Sequence, residues 1–462
     1  QDRNEDGFQD MPDNTNIIAM NRWRYSSGDG TMGQFGIKGT YIDKSSGQIG
    51  DTDVATDLWR ADVTTKRIEG WAKRGQVFQD RPYASLGIQV SGSYHDQQGD
   101  FGLKNYDGTQ ASAYANVIYQ TIISNTENQI KFGSSYQFDQ VDENVSGIDY
   151  DRTESMVGAF TEYQYVPGEK MSLVAGLRAD YHNIYGLFLT PRMHFRYNPV
   201  QNSSFRVIAG RGQRTPSIFA ENIGIFASNR QIVIEESNAE NPYGLTQESA
   251  WNFGANYTQE FNIGQRTAVF GIDYYYTTFG NQVVVDYDIS PQEVHFYNLE
   301  GKSFSHSVQT QVDVEVIDNF DVRLAYRFNN PRTDYKSGTD IRPLVAKSRA
   351  FVNLAYETES GWLADLTTNW ISSKRIPGTA SNPIEYQLDA TSPSFFTLNA
   401  QVTKKIGNSF DIYLGGENLT DYRQERAIIS YENPFNQYFD SSLIWGPIQG
   451  RIVYLGLRYR MI

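Results

Sequence analysis

The first residues of the chain carry the most explicit chemistry. Residues 2–13 read D-R-N-E-D-G-F-Q-D-M-P-D. Oxygen ligands fall at loop positions 1, 3, 5 and 9 (Asp2, Asn4, Asp6, Asp10), a glycine at 6, a main-chain carbonyl position at 7 (Phe8) and an acid at 12 (Asp13). Calcium is held by clustered hard oxygens at this spacing. No flanking helix is readable, so the expectation is a structural calcium loop outside any helix–loop–helix frame. The bland reading is an acidic, solvated turn shaped by Gly7.

A second group is basic. Arg178, His182, Arg192, His194, Arg196 and Arg206 lie at even spacings in neighbouring segments, and Arg323 and Arg327 follow later. In extended chain, even spacing places them on one face. They suit contact with an acidic partner domain or an anion path. Cross-strand pairing with acids such as Asp180, Asp313 and Glu315 is the competing reading. A third group sits in two long polar connectors. One carries Glu221, Asn222 and Arg230; the other carries Tyr431, Phe435, Tyr438, Phe439 and Trp445. Aromatics at that density suit capture of a catechol, a corrin or a sugar ring, or they pack the connectors on one another.

Catalysis finds no support. The five histidines (95, 182, 194, 295, 306) form no H-E-x-x-H, and no G-x-S-x-G occurs. The absence of cysteine excludes thiol chemistry and disulfides. A net charge of −14 argues against nucleic acid as a partner.

The elements that must hold these residues are strands. Met171, Leu173, Ala175, Leu177, Ala179 and Tyr181 alternate with Ser172, Val174, Gly176, Arg178, Asp180 and His182. The same two-residue period recurs at 268–276, 322–328, 362–370 and 410–417. Aromatics such as Tyr94, Tyr165, Trp362, Trp370 and Tyr459 collect at segment ends, as in interfacial girdles. No apolar run reaches the ~18 residues of a membrane helix, which leaves a membrane barrel open because a barrel strand shows lipid only every second residue.

Connectors alternate between short and long. The short ones include 124–128, 166–170, 261–265, 317–319, 357–361 and 405–409. The long ones are expected at 96–110, 183–190, 214–247, 280–293, 372–394 and 418–449. Tight turns at one end and long loops at the other are the pattern of an outer-membrane barrel. The expected fold is therefore an all-β transmembrane antiparallel barrel, with residues 1–16 as an extracellular acidic loop and residues 17–462 as the barrel. About 19 strands are readable, including one over 294–317, whereas single-chain bacterial barrels have even counts. N-terminal strands are thus expected to be missing from this chain.

Specific stretches carry a resemblance. Residues 398–405 (LNAQVTKK), 413–422 (YLGGENLTDY), 445–448 (WGPI) and 450–459 (GRIVYLGLRY) resemble the closing strands of TonB-dependent outer-membrane receptors of the Bacteroidetes type. Residues 210–217 (GRGQRTPS) and 241–248 (NPYGLTQE) resemble two mid-barrel elements of that family, with Gln247 where proline is usual. The resemblance implies a 22-stranded barrel around a plug, so three strands and the plug lie outside this chain. It implies active uptake of a scarce nutrient, with ferric siderophore first and cobalamin or oligosaccharide as alternatives. It further implies TonB as partner through the plug region, outer-membrane lipid and lipopolysaccharide around the wall, and a surface lipoprotein lid as a candidate partner. Haem receptors of the family place a histidine between the two mid-barrel elements; this chain has none there. The family also carries acidic DGF loops like residues 2–13. A structural subunit of a larger outer-membrane assembly is the rival reading.

Overall fold

A computed structural model describes residues 2–50, 58–236 and 238–460. It contains a 21-stranded antiparallel sheet in which each long strand pairs with the next in sequence. Two of its strands, Ile148–Asp149 and Gly338–Ile341, are short extensions within connectors. The remaining strands run as an up-and-down wall from Asp13–Ser26 to Ile452–Tyr459 and correspond to the segments read by period. Among the described residues, the first and last of these do not pair with each other.

Each face of the wall meets a different medium. In Met171–His182, Leu177 and Tyr181 point outward and are 47% and 62% exposed, while Asp180 and His182 on the opposite face are buried. In the last strand Val453, Leu455, Leu457 and Tyr459 are all open on the outside. Covering a side chain of that size is worth roughly 1.5–3 kcal/mol, and on this surface only hydrocarbon can provide the cover. One end of the wall is closed by tight turns. Asp318–Asn319 is one, with Asn319 at φ 60°, and Gly264–Gln265 another, with Gly264 at φ 66°. Left-handed backbone suits Asn and Gly there and matches the twist of the strands it joins.

Three expected boundaries differ. The segment 96–110 is a continuation of a hairpin: Arg81–Phe101 and Lys104–Ile123 stay in register to Phe101↔Lys104. Residues 183–190 shrink to a three-residue turn between Met171–His182 and Gly186–Tyr197. Beyond the bilayer the outer face of the hairpin is wet and its inner face packs only at points such as Phe101 and Tyr106, so the apolar period that marks a strand disappears while the pairing continues. Third, 294–317 is two elements. Glu293–Asn298 leaves the wall and joins a three-stranded sheet, parallel to Gln231–Ile234 and antiparallel to Val283–Asp286; the wall strand starts at Ser303.

The hydrophobic core lies in the long connectors. Among the largest fully buried side chains are Phe219, Phe226, Phe296, Phe439, Ile225, Leu245, Ile429 and Val294. None of them belongs to the wall, whose inner face is polar and whose outer face meets lipid. The connectors 215–247, 282–302 and 418–451 therefore form a packed dome over one mouth of the barrel. Among the described residues, no helix is long and apolar enough to cross a membrane, which says nothing of a barrel.

Candidate functional site: the dome and the wall beneath it

The N-terminal loop is part of the dome. Phe8 is buried against Trp59 and Phe439, with ring centroids 5.9 Å from each. Arg3 donates to the Arg451 carbonyl at 3.0 Å, and Arg423 donates to the Arg3 carbonyl at 2.9 Å. The loop thus ties the first strand's end to the approach of the last strand. Its acids cap its own backbone. Asp2 accepts the N–H groups of Glu5 and Gly7 at 2.7 and 2.8 Å, Asp6 accepts that of Phe8 at 2.9 Å, and Asp10 that of Arg3 at 2.9 Å. Asn4 donates to Asp6, and Asp13 is already in the first strand, opposite Ser45. Burial holds the Asp6 carboxyl above its ordinary range, against the pull of the Phe8 N–H. Among the described residues no group of three or more His, Cys, Asp or Glu side chains is placed to hold a metal ion. In this arrangement the loop acids face backbone donors within the loop.

The connector residues singled out by type divide in two. Arg230 is buried, pairs with Asp440 at 2.7 Å and reaches the carbonyls of Tyr287, Ser290 and Glu293. Phe439 and Trp445 are buried, Trp445 against Phe395 and Tyr422. These three hold the dome together and offer no open side-chain surface. Glu221 pairs with Arg214 at 2.7 Å, and Asn222 donates to the Ile218 carbonyl at 2.8 Å. Tyr431 and Phe435 are exposed, and Tyr438 stacks on Tyr386 at 5.0 Å. Burial, followed by the Asp440 charge, pushes the Tyr287 hydroxyl up to about 12.

The wall residues mostly find partners. Arg178 donates to Asp180 at 2.7 Å and Arg192 to Glu162 at 2.5 Å, and Arg323 pairs with Asp313. His182 lies 3.1 Å from Glu154. Pairing within the wall therefore accounts for these four, across strands for Arg192, His182 and Arg323 and along one strand for Arg178. Arg196 and Arg206 stand directly opposite each other beside His194, and Arg327 stands opposite Arg349. Among the described residues Arg196, Arg206 and Arg327 form no ion pair; Arg206 reaches Asn256 at 3.4 Å.

The most connected group was not singled out by residue type. Arg152, at the outer end of Arg152–Tyr165, donates to Glu143 at 2.9 Å, Glu154 at 2.8 Å, the Tyr243 hydroxyl at 2.8 Å and Ser217 at 2.9 Å. Tyr106 donates to the other Glu143 oxygen at 2.8 Å, and Thr215 to Glu154 at 2.6 Å. Ser217, Tyr243 and Thr215 belong to the dome, so one guanidinium latches dome to wall. Burial and then the Glu143 charge raise the Tyr243 phenol far above its usual range, which keeps it a donor. No spacing or motif marks Glu143, Arg152 or Glu154; their convergence with Tyr243 is a tertiary fact. Beside the latch a recess of about 290 Å³ opens into the lumen, lined by Gln110, Gln137, Asp139, Met156, Phe188, Gln213 and Gln247 among others.

An antiparallel wall with a lipid-facing apolar set, a polar lumen and a packed dome at one mouth defines an outer-membrane barrel. A family model, TonB dependent receptor-like, beta-barrel, matches residues 3–419. The chain belongs to that family and is an outer-membrane protein. The complex of FpvAI with pyocin S2 is similar at TM-score 0.70 and 11% identity, over 97% of this chain and 64% of that one. The ferripyoverdine receptor of the outer membrane of Pseudomonas aeruginosa is similar at TM-score 0.68 and 10% identity, over 97% of this chain and 66% of that one. A mutant of the ferric enterobactin receptor PfeA from Pseudomonas aeruginosa is similar at TM-score 0.61 and 12% identity, over 96% and 80%. At these identities the likeness shows the fold. No curated protein matches the chain in sequence. The chain spans 64% of the length of the FpvAI chain it resembles.

Proposed function

We propose that this chain is the barrel of a Bacteroidetes-type TonB-dependent receptor that actively imports a scarce nutrient, with a ferric siderophore as the first ligand class. The family match over residues 3–419 carries the reading. The siderophore assignment is supported by structural neighbours whose names specify ferripyoverdine and ferric enterobactin. Cobalamin and oligosaccharide are the alternative ligands. The protein is a transporter and not an enzyme. A plug outside this chain fills the lumen, contacts the unpaired Arg196, Arg206 and Arg327, and couples to TonB. Lipopolysaccharide surrounds the outward apolar set, and a surface lipoprotein is the candidate lid over the exposed Tyr431 and Phe435.

The test is growth and radio-iron uptake by a strain lacking the gene, under iron limitation, with the full gene restored in a TonB-positive and a TonB-negative background. Uptake should return only with both. Normal iron acquisition without the gene, combined with a growth defect under cobalamin or glycan limitation, would move the assignment to that ligand. No defect in any of the three would end the uptake reading.

A further inference from the structure

We propose that the recess beneath the dome receives a hydroxyl-rich, non-anionic part of the cargo, such as a sugar ring or polyol. The proposal rests on the uptake reading only in treating the ligand as cargo. It stands on the hydrogen-bond inventory of the cavity.

The two guanidinium groups that reach the recess are already engaged. Arg152 is held by Glu143 and Glu154, and Arg214 by Glu221 and Glu248. Each guanidinium is thus compensated by two carboxylates, with Arg152 buried and the Arg214 side chain 56% exposed. Asp139 has no cation beside it among the described residues. It accepts from Gln110 at 3.0 Å, Ser112 at 2.5 Å and Gln137 at 2.7 Å. Ser112 gives its O–H and the two glutamines give amide N–H groups, so Asp139 uses neither glutamine's amide oxygen. Gln213 also has a buried amide oxygen with no hydrogen-bond partner among the described residues. The recess therefore presents acceptors, and with the acids that pair with its arginines it counts five carboxylates (Asp139, Glu143, Glu154, Glu221, Glu248) against Arg152, Arg214 and His182. Such a surface rewards O–H and N–H donors and penalises anions. Met156 and Phe188 supply apolar surface for the C–H face of a ring. At about 290 Å³ the space sits at the lower end of small-molecule pockets, roughly 300–1,000 Å³, so it holds one ring and not a whole chelate.

The ring can come from a glycan or from a neutral ferric chelate. The experiment uses the intact receptor purified from outer membranes in detergent. Calorimetry compares glucosamine, glucose and glucuronate, then a neutral ferric trihydroxamate and a trianionic ferric tricatecholate. Glucosamine and glucose should bind at least tenfold more tightly than glucuronate. Among the chelates only the neutral one should compete with glucose if the source is a siderophore; neither should if it is a glycan. Asp139→Asn should erase the advantage of glucosamine over glucose, and Gln213→Leu should weaken both. Retained heat-modifiable migration in gels shows that each variant is folded. Equal or tighter binding of glucuronate or the tricatecholate overturns the proposal, as does the absence of sugar and neutral-chelate binding. Either failure leaves TonB-dependent uptake, measured separately in cells, untouched.

Discussion

Replacing Arg152 with methionine should unlatch the dome while the strands of the wall stay paired. The guanidinium donates to two carboxylates and two dome oxygens. The side chains of Glu143 and Glu154 are only 2% and 14% exposed, so the substitution strands two buried charges. Breaking a buried pair by removing one partner costs about 3–5 kcal/mol. Each carboxylate keeps neutral donors: Tyr106 and Tyr243 on Glu143, Thr215 on Glu154. The cost therefore falls near the low end, about 3 kcal/mol, or roughly a 100-fold rise in the opening constant of the dome. Hydrogen exchange reads this directly. Amides in residues 215–247 should exchange faster by that factor, whereas Met171–His182 and the other wall strands keep their protection. Lysine at position 152 should rescue little, because an ammonium lacks the fork that reaches several acceptors at once. Adding Glu143→Gln and Glu154→Gln to the methionine variant should restore much of the loss. Unchanged exchange over 215–247, or equal loss of protection in the wall, would refute the latch.

Arginine in place of Leu455, outward in the last strand, should cost up to ~2–4 kcal/mol of folded barrel if the site lies at mid-bilayer, read as a smaller heat-modifiable fraction in gels; full folding would place that face away from lipid. In the dome, burial works to raise the Glu235 carboxyl, but Lys336 and His295 outweigh it and hold it below its ordinary range. A depressed folded value means that its contribution is complete above the usual carboxylate range and is lost as pH falls through the lower value. Pepsin near pH 3 should therefore cut around Gln231–Ile234 faster than at pH 5, and Glu235→Gln should flatten that difference; an unaltered pH ratio in the variant would count against it. Asp6→Asn should leave the N-terminal loop as stable or more stable, since the amide oxygen still accepts the Phe8 N–H and the buried charge is gone. Calcium-dependent protection of residues 2–12 that vanishes in this variant would show instead that the acids regroup around an ion.

The wall was legible because each of its strands answers to two media at once. Lipid on one side and a polar lumen on the other impose a period of two that needs no knowledge of distant residues. Leu177 and Tyr181 against Asp180 and His182 could be sorted from spacing alone, and so could the family, from stretches such as GRGQRTPS and YLGGENLTDY. Beyond the bilayer that constraint disappears, and hairpin 96–110 looked like a loop although its pairing continues. The dome was less legible still. Its core joins Phe8, Phe219, Phe296 and Phe439 across the length of the chain, and Arg230 meets an acid 210 residues away. Nothing periodic links such positions. Residue type left Phe439 and Trp445 open between ligand contact and packing and placed Arg230 among the ligand candidates, and in the fold all three are packed as scaffold. Arg152 had no local mark, and only the convergence of wall and dome made it the latch. Local alternation follows from the solvent each face meets; the site follows from contacts that exist only once the connectors have folded over the mouth.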